Sequence, residues 1–406
     1  PDPGHWLRRS DTVAVTRHHP ESETRSSTMR IVQLTTVHRW DDVRIYHKIA
    51  RTLARAGHDV HLVAPHPGVT SDPEPLDGVT GHWLPMTRSR LARLANAWRA
   101  IGVVRRINPD VVHFHDPELM PTAAMLRLFG CRVVYDVHED LPGDIMQKEW
   151  LPRVLRPVVS LGARGAEWLF SRFIGSAVIT VTDHIARRFP SRRTVVVQNF
   201  PILDELMTPS SSTPAATPPV FVFVGGITRD RGGLEMIEAV RRLEDGGHAA
   251  RVDLVGPVVP PAFSDELTAA AAGTSAECIG PVPREEVADR LGAARASLVL
   301  FHPAPNHTNA QPNKLFEAMS AGVPVIASDF PAWRAVVEGC GCGRLADPLD
   351  PESIADAMRW MLEHPEETDA MGRCGREAVE ERYNWERESR TLLALYAAWA
   401  DGRPVA

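Results

Sequence analysis

From Met29 onward, short apolar runs alternate with segments whose apolar residues recur at helical spacing. Arg30 to Leu34 is strand-like, Ile45 to Ala56 is helical and stops at Gly57, and His58 to Ala64 is strand-like again, ending at Pro65. A helix from Ser89 to Arg106 precedes a strand at Asp110 to His115. Further strands are expected at Arg132 to Val137, Ser176 to Val181 and Thr194 to Gln198. Short strands joined by helices form parallel sheets covered on both faces, because a parallel crossover needs a dozen or more residues and a helix supplies them. The chain is therefore expected to be α/β and doubly wound.

The rhythm breaks once. Thr208 to Pro219 contains only Pro, Ser, Thr and Ala, too small and polar to build a core, and reads as a linker over 206–219. It then restarts with strands at Val220 to Val224 and Arg251 to Val255 around a helix at Gly232 to Leu243. Strand, helix and strand follow at Ser297 to Phe301, Pro312 to Ala321 and Val323 to Ser328, and a helix from Trp385 to Trp399 closes the sequence. At 406 residues the chain is long for a single core. Two Rossmann-like domains are expected, 29–205 and 220–384. Residues 1–28 are polar, charged and without an apolar run, which reads as a disordered tail rather than a signal peptide, with Met29 a candidate start.

Composition narrows the function. Hydrophobic and charged shares of 44% and 24% suit a globular protein, and a net charge of −6 gives no basic field for nucleic acid. No 18 apolar residues run uninterrupted; the nearest stretch, Val154 to Val181, is broken by Arg156, Arg164, Glu167 and Arg172. Five scattered cysteines form no closed disulfide framework, and Cys340 and Cys342, one residue apart with no nearby Cys or His, do not make a zinc site. Reduced thiols and a cytoplasmic location are expected.

In open parallel sheets, ligands bind at the carboxyl ends of the strands. Four segments fall there. Around Gln311 to Met319, Pro312 suits a first helical position and Gly322 a C-terminal cap. Leu315, Ala318 and Met319 make the buried face, and Lys314 and Glu317 share a neighbouring one. Such a helix start attracts phosphate, Lys314 adds a charge, and Glu317 can accept from two ribose hydroxyls; the plain alternative is a surface Lys–Glu pair. Gly225, Gly226, Arg229 and Arg231 occupy a glycine-rich turn that lets backbone approach an anion, or is simply a turn with solvated arginines. His113 and His115, beside Asp116, point to one face of a strand; a metal site there would need an awkward convergence along one strand. His138, Glu139 and Asp140 end another strand, with Glu139 lining a site and Asp140 structural.

Together these segments resemble the family-four retaining glycosyltransferases of the GT-B fold, in which two Rossmann-like domains face each other across a cleft. The resemblance is carried by Phe223 to Ala239, Gly280 to Leu291 and Pro312 to Asp329, by Tyr383 to Glu388, and in the first half by His113 to Pro121 and Val133 to Pro142. It implies that Glu317 holds the nucleotide ribose and that Arg231 stands where the family has a lysine on the donor diphosphate. Lys314 would contact phosphates or sugar, with Asn313 and Leu315 in the same donor helix, while His115 contacts the transferred sugar. Asn199 matches an asparagine before the interdomain hinge, and the last helix, 385–402, crosses back to the first domain.

Three departures stand out. The family's paired-glutamate motif has a carboxylate where this chain has Asn309, Gly226 replaces the first diphosphate cation, and Thr36 to Arg44 replaces the glycine-rich acceptor loop. The implied reaction is sugar transfer from a nucleotide-diphosphate sugar to a glycan, lipid-linked or small-molecule acceptor, with retention and without metal or other cofactor. Rival readings are a sugar-nucleotide 2-epimerase, drawing on His138, Glu139 and Asp140, and a non-catalytic sugar-nucleotide-binding protein. The helix from Ser89 to Arg106 puts Leu91, Leu94, Trp98 and Ile101 on one stripe among six arginines. It suits either peripheral contact with the inner face of an anionic membrane or ordinary packing on the sheet.

Overall fold

The computed structural model describes residues 28–68, 73–87, 89–148, 151–205 and 218–403. The expected tail lies outside these residues apart from Thr28, and the expected linker apart from Pro218 and Pro219. The described residues divide into two compact units, one holding those up to Asn199 together with Trp385 onward, the other Phe200–Asn384.

The first unit is built on an eight-stranded sheet. Its strands are β1 (Arg30–Leu34), β2 (Asp59–His66), β3 (Glu74–Leu76), β4 (Val79–Pro85), β5 (Val111–Phe114), β6 (Arg132–Val137), β7 (Ala177–Thr180) and β8 (Thr194–Val196), in the order β3-β4-β2-β1-β5-β6-β7-β8. All pairings are parallel except β3 with β4, a hairpin turned by Asp77 and Gly78, both at positive φ (42° and 83°). That geometry matches the twist of paired strands, and an Asp-Gly turn provides it cheaply. Helices Arg90–Ile107 and Met120–Leu128 cover one face, and Arg156–Leu169 reaches the same side through Glu167, which accepts from Tyr135 Oη. Ala97, Ala100, Ile101, Val104, Ala123 and Leu126 join Val32, Leu34, Val112, Phe114 and Tyr135 in that core.

The expected apolar stripe of the first of these helices is not its buried face. Ile101 goes inward, but Leu91, Leu94 and Trp98 are exposed. The helix docks instead through Ala97, Ala100 and Val104, small residues that let it lie close to the sheet. The helix expected over Ile45 to Ala56 is realised as a π-helical segment, Val43–Ala50, running into an α-helix, Arg51–Arg55. Asp42 starts it by accepting from the backbone N–H groups of Arg44 and Ile45. The closing helix Trp385–Ala400 joins this unit, its Trp385 Nε1 donating to Thr52 Oγ1 at 2.9 Å. No helix among the described residues is long and apolar enough to cross a membrane.

The second unit has six parallel strands, β9 (Val220–Val224), β10 (Arg251–Val255), β11 (Ala276–Gly280), β12 (Ala296–Val299), β13 (Val325–Ser328) and β14 (Gly343–Ala346), ordered β11-β10-β9-β12-β13-β14. Phe221, Phe223, Met236, Ile237, Leu254 and Met358 pack in one core, and Val299, Phe316, Met319, Trp333 and Val337 in another. Both units thus bury apolar strands between helical layers, and their polar side chains collect at the carboxyl ends.

Candidate functional sites

In the second unit the chain leaves β9 through Gly225 and Gly226. Gly225 has φ of +126°, and its carbonyl runs so close to Gly256 that a Cβ there would lie 2.1 Å from the oxygen. Glycine at both places is therefore a steric requirement. A Cβ on Gly225 would meet Lys314 Nζ at 3.1 Å, and one on Gly226 would meet Arg231 at the same distance. Two cations thus converge on the glycine turn. Arg231 donates to Gly226 O at 3.1 Å and lies over the Phe301 ring at 5.4 Å.

Lys314, on the helix Asn313–Ser320, is the unusual member. Its Nζ is 3.8 Å from the Phe223 ring centroid and 5.1 Å from that of Phe301, and finds no hydrogen-bond partner among the described residues. Burial, and then Arg231, push its pKa well below the ordinary lysine value, while Glu317 opposes them. Cation–π attraction offsets part of the desolvation but supplies no counter-charge. Arg231 and Lys314 thus meet here beside a helix start that adds backbone N–H groups. Glu317 is half-buried one turn along.

The other expected donor-side residues separate. Arg229 pairs with Glu266 at the surface, so the cation at the turn is Arg231. Leu315 is 1% exposed, packs with Phe316 and Phe330, and its N–H goes to Pro312 O; it is a core residue rather than a ligand contact. Asn313 opens the helix and is exposed, and Asn309 is exposed at the end of the turn Pro305–Thr308. Sequence reasoning missed Phe223 and Phe301, whose only signal is aromatic residues at strand ends. It also missed His302, 3.1 Å from Glu235, and His307, which stacks edge-on to Phe301.

The first unit holds a second constellation at the ends of β1, β5 and β6. His113 and His115 do share a face, their rings stacked 4.9 Å apart. Their carboxylate is Asp136, from the adjacent strand, rather than Asp116. Asp136 Oδ2 lies 3.2 Å from His115 Nδ1, 3.0 Å from His138 Nε2 and 3.8 Å from His113 Nε2. Burial opposes its ionisation, but Arg44, His138 and His115 outweigh that and hold it well below the usual carboxylate range. Arg44 grips both oxygens, Nε to Oδ2 at 2.9 Å and Nη2 to Oδ1 at 2.8 Å. Burial lowers the pKa of His115, with Asp136 opposing, so the ring is neutral at pH 7. Its Nε2 donates to Gln33 Oε1 at 2.9 Å, and its Nδ1 meets His138 Nε2 at 3.1 Å. Both nitrogens are therefore occupied, and His115 keeps none for a sugar hydroxyl. His138 is the more accessible of these rings.

By distance, His113, His115 and Asp136 can hold a metal ion, their ligand atoms lying within 4.8 Å of one another. Arg44 already neutralises Asp136, however, so a dication would sit beside a buried guanidinium. Asp116 serves the loop after β1 instead, accepting from Thr35 Oγ1 and from the N–H groups of Thr36 and Val37 at 2.9, 2.6 and 3.2 Å. Asn199 receives Lys48 Nζ on Oδ1 and on its carbonyl at 2.8 and 3.1 Å. Glu139 is exposed. Asp140 is structural, but through an ion pair with Arg188 rather than as a helix cap.

The family described as "Glycosyl transferase 4-like domain" matches residues 43–199, and that described as "Glycosyl transferases group 1" matches 218–364. The D-rhamnosyltransferase WbpZ of Pseudomonas aeruginosa is 23% identical over 332 residues, covering 78% of this chain and 81% of its own length. Among solved structures, sucrose-phosphate synthase from Thermosynechococcus elongatus matches with a TM-score of 0.73 at 18% identity, covering 92% of this chain and 100% of that one. HepE of Anabaena, solved in complex with UDP-glucose, matches with a TM-score of 0.66 at 14% identity, covering 91% and 100%. With the two family matches falling in order on two parallel-sheet units, the chain belongs to the family-four glycosyltransferases of the GT-B fold.

Proposed function

We propose that the protein transfers a glycosyl group from a nucleoside-diphosphate sugar to a glycan, lipid-linked or small-molecule acceptor, with retention of anomeric configuration. The observation that carries this reading is Lys314 Nζ, buried on Phe223 and Phe301 without a hydrogen-bond partner among the described residues, with Arg231 beside it. A pair of cations in that setting calls for a multiply charged anion. The diphosphate meets it, with β-phosphate oxygens on Lys314, Arg231 and the start of the helix Asn313–Ser320. Glu317 then takes the ribose hydroxyls, and Gly225 and Gly226 leave room for the phosphates.

Bond cleavage at the anomeric carbon passes through an oxocarbenium-like state while negative charge grows on the leaving phosphate. Fixed cations aimed at that charge lower the barrier without a metal on the diphosphate. The acceptor attacks from the face the leaving group departs, and a leaving-phosphate oxygen takes its proton. In the first unit, the neutral His115, locked by Gln33 and Asp136, orients His138. HepE's complex with UDP-glucose supports a nucleotide-sugar donor for this chain as well. Incubation with UDP-, GDP-, ADP- and dTDP-sugars and a mixed acceptor pool, followed by NMR of the product, tests the proposal. A glycoside with the donor's anomeric configuration supports it; an inverted glycoside or an epimerised donor contradicts it.

A further inference from the structure

The three helices on one face of the first unit's sheet, Arg90–Ile107, Met120–Leu128 and Arg156–Leu169, carry eight arginines and one acid. That acid, Glu167, is turned inward onto Tyr135 Oη and Arg188. The third helix is built inside out. Arg156, Ser160, Ala163 and Glu167, spaced on one face, lie against the body, Arg156 Nε donating to Leu151 O and Ser160 Oγ to Pro142 O. Its outward side shows Val158, Leu161, Trp168 and Leu169, with Phe173 just beyond; Val158, Leu161 and Phe173 are 68%, 71% and 65% exposed. Arg153, Arg164 and Arg172 are exposed among them, and from 151 to 182 no carboxylate reaches solvent.

An ordinary surface helix buries its apolar stripe and shows its polar one; this one is reversed and so fits an apolar partner. The partner must also be anionic. A second copy would set arginines against arginines, which disfavours self-association through this face. Beside Phe173 opens a cavity of about 870 Å³ lined by Arg127, Phe129, Arg132, Arg192 and Arg193. Its one carboxylate, Asp110, already accepts from Arg30 N–H at 2.8 Å. Guanidiniums of this kind fork onto phosphate oxygens.

We propose that this face docks on a bilayer containing anionic phospholipid. The apolar side chains enter the boundary between headgroups and acyl chains, the exposed arginines meet headgroup phosphates, and the cavity takes one such phosphate. This surface is separate from the Lys314 corner, so its test does not depend on the transfer chemistry.

Flotation of the full chain with vesicles of phosphatidylcholine alone, and of equal parts phosphatidylcholine and phosphatidylglycerol, tests it. Binding is expected only with the anionic vesicles and falls as salt rises. The pair Val158→Ser and Leu161→Ser weakens it about tenfold or more. Arg164→Ala and Arg172→Ala each weaken it about fivefold. Because these side chains are exposed, the thermal unfolding temperature stays unchanged and reports that each variant is folded. No flotation with anionic vesicles, or equal flotation of folded variants, overturns the proposal. So does wild-type self-association that the serine pair abolishes, since the face would then belong to a second copy.

Discussion

Lys314 Nζ lies 3.8 Å from the centre of the Phe223 ring, and neither Phe223 nor the neighbouring Phe301 can neutralise it. An ammonium held this way costs folding free energy that Glu317 offsets only in part and an incoming anion would recover. The unit thus keeps a local instability at the point where a diphosphate is proposed to bind.

Lys314→Met tests that cost. Methionine fills similar volume without charge, so the ligand-free protein should gain about 1–3 kcal/mol on denaturant unfolding. A loss of stability of similar size would show that the ammonium has a counter-charge of its own.

The lowered pKa of Lys314 also sets a pH dependence. Between the folded pKa and 10.5, the unfolded chain binds the proton that the folded protein has released. Stability of the free protein therefore rises with pH through that window. A bound diphosphate raises the lysine pKa again, so calorimetry within that window, in buffers of different ionisation enthalpy, should show proton uptake on nucleotide binding. Lys314→Met should remove the uptake.

For Glu317 the expected partner is a ribose hydroxyl pair. Glu317→Ala should weaken binding of a ribonucleoside diphosphate about tenfold or more, and that of its 2′-deoxy analogue much less. Equal losses for both would place the carboxylate elsewhere.

Asp136 and Arg44 form a buried ion pair, side chains 0% and 4% exposed. Asp136→Asn should destabilise the first unit by about 3–5 kcal/mol because the guanidinium is left unpaired, and Arg44→Met with Asp136→Leu should recover much of it. Chemical denaturation of the three proteins measures this. Since Asp136 is held below its ordinary pKa, its contribution is present at neutral pH and is lost as pH falls through the folded value.

Most strands were legible because each is a compact apolar run ending in Gly, Pro or a polar cluster. The β3–β4 hairpin was legible in principle, since Asp77-Gly78 is a strong turn signal, but β3 spans three residues and shows no period. The site was harder. Spacing set Lys314 beside Glu317 as a surface pair, yet the depth of Nζ is decided by Phe223 and Phe301, one at a strand remote in sequence. His113 and His115 were visible as a pair, but their carboxylate sits on the next strand and its arginine 92 residues away from it. Which way the Leu91, Leu94 and Trp98 stripe of the helix Arg90–Ile107 faces was open from sequence, because Leu and Trp outrank Ala in hydrophobicity whereas close packing on a sheet favours Ala97 and Ala100.

The most direct measurement is calorimetric titration of UDP, GDP, ADP and dTDP into wild type and Lys314→Met. Saturable binding of at least one nucleotide by the wild type is expected, weakened about 30-fold or more in a variant that remains folded. Binding unchanged by the substitution, or no binding of any nucleotide to folded wild-type protein, would contradict it.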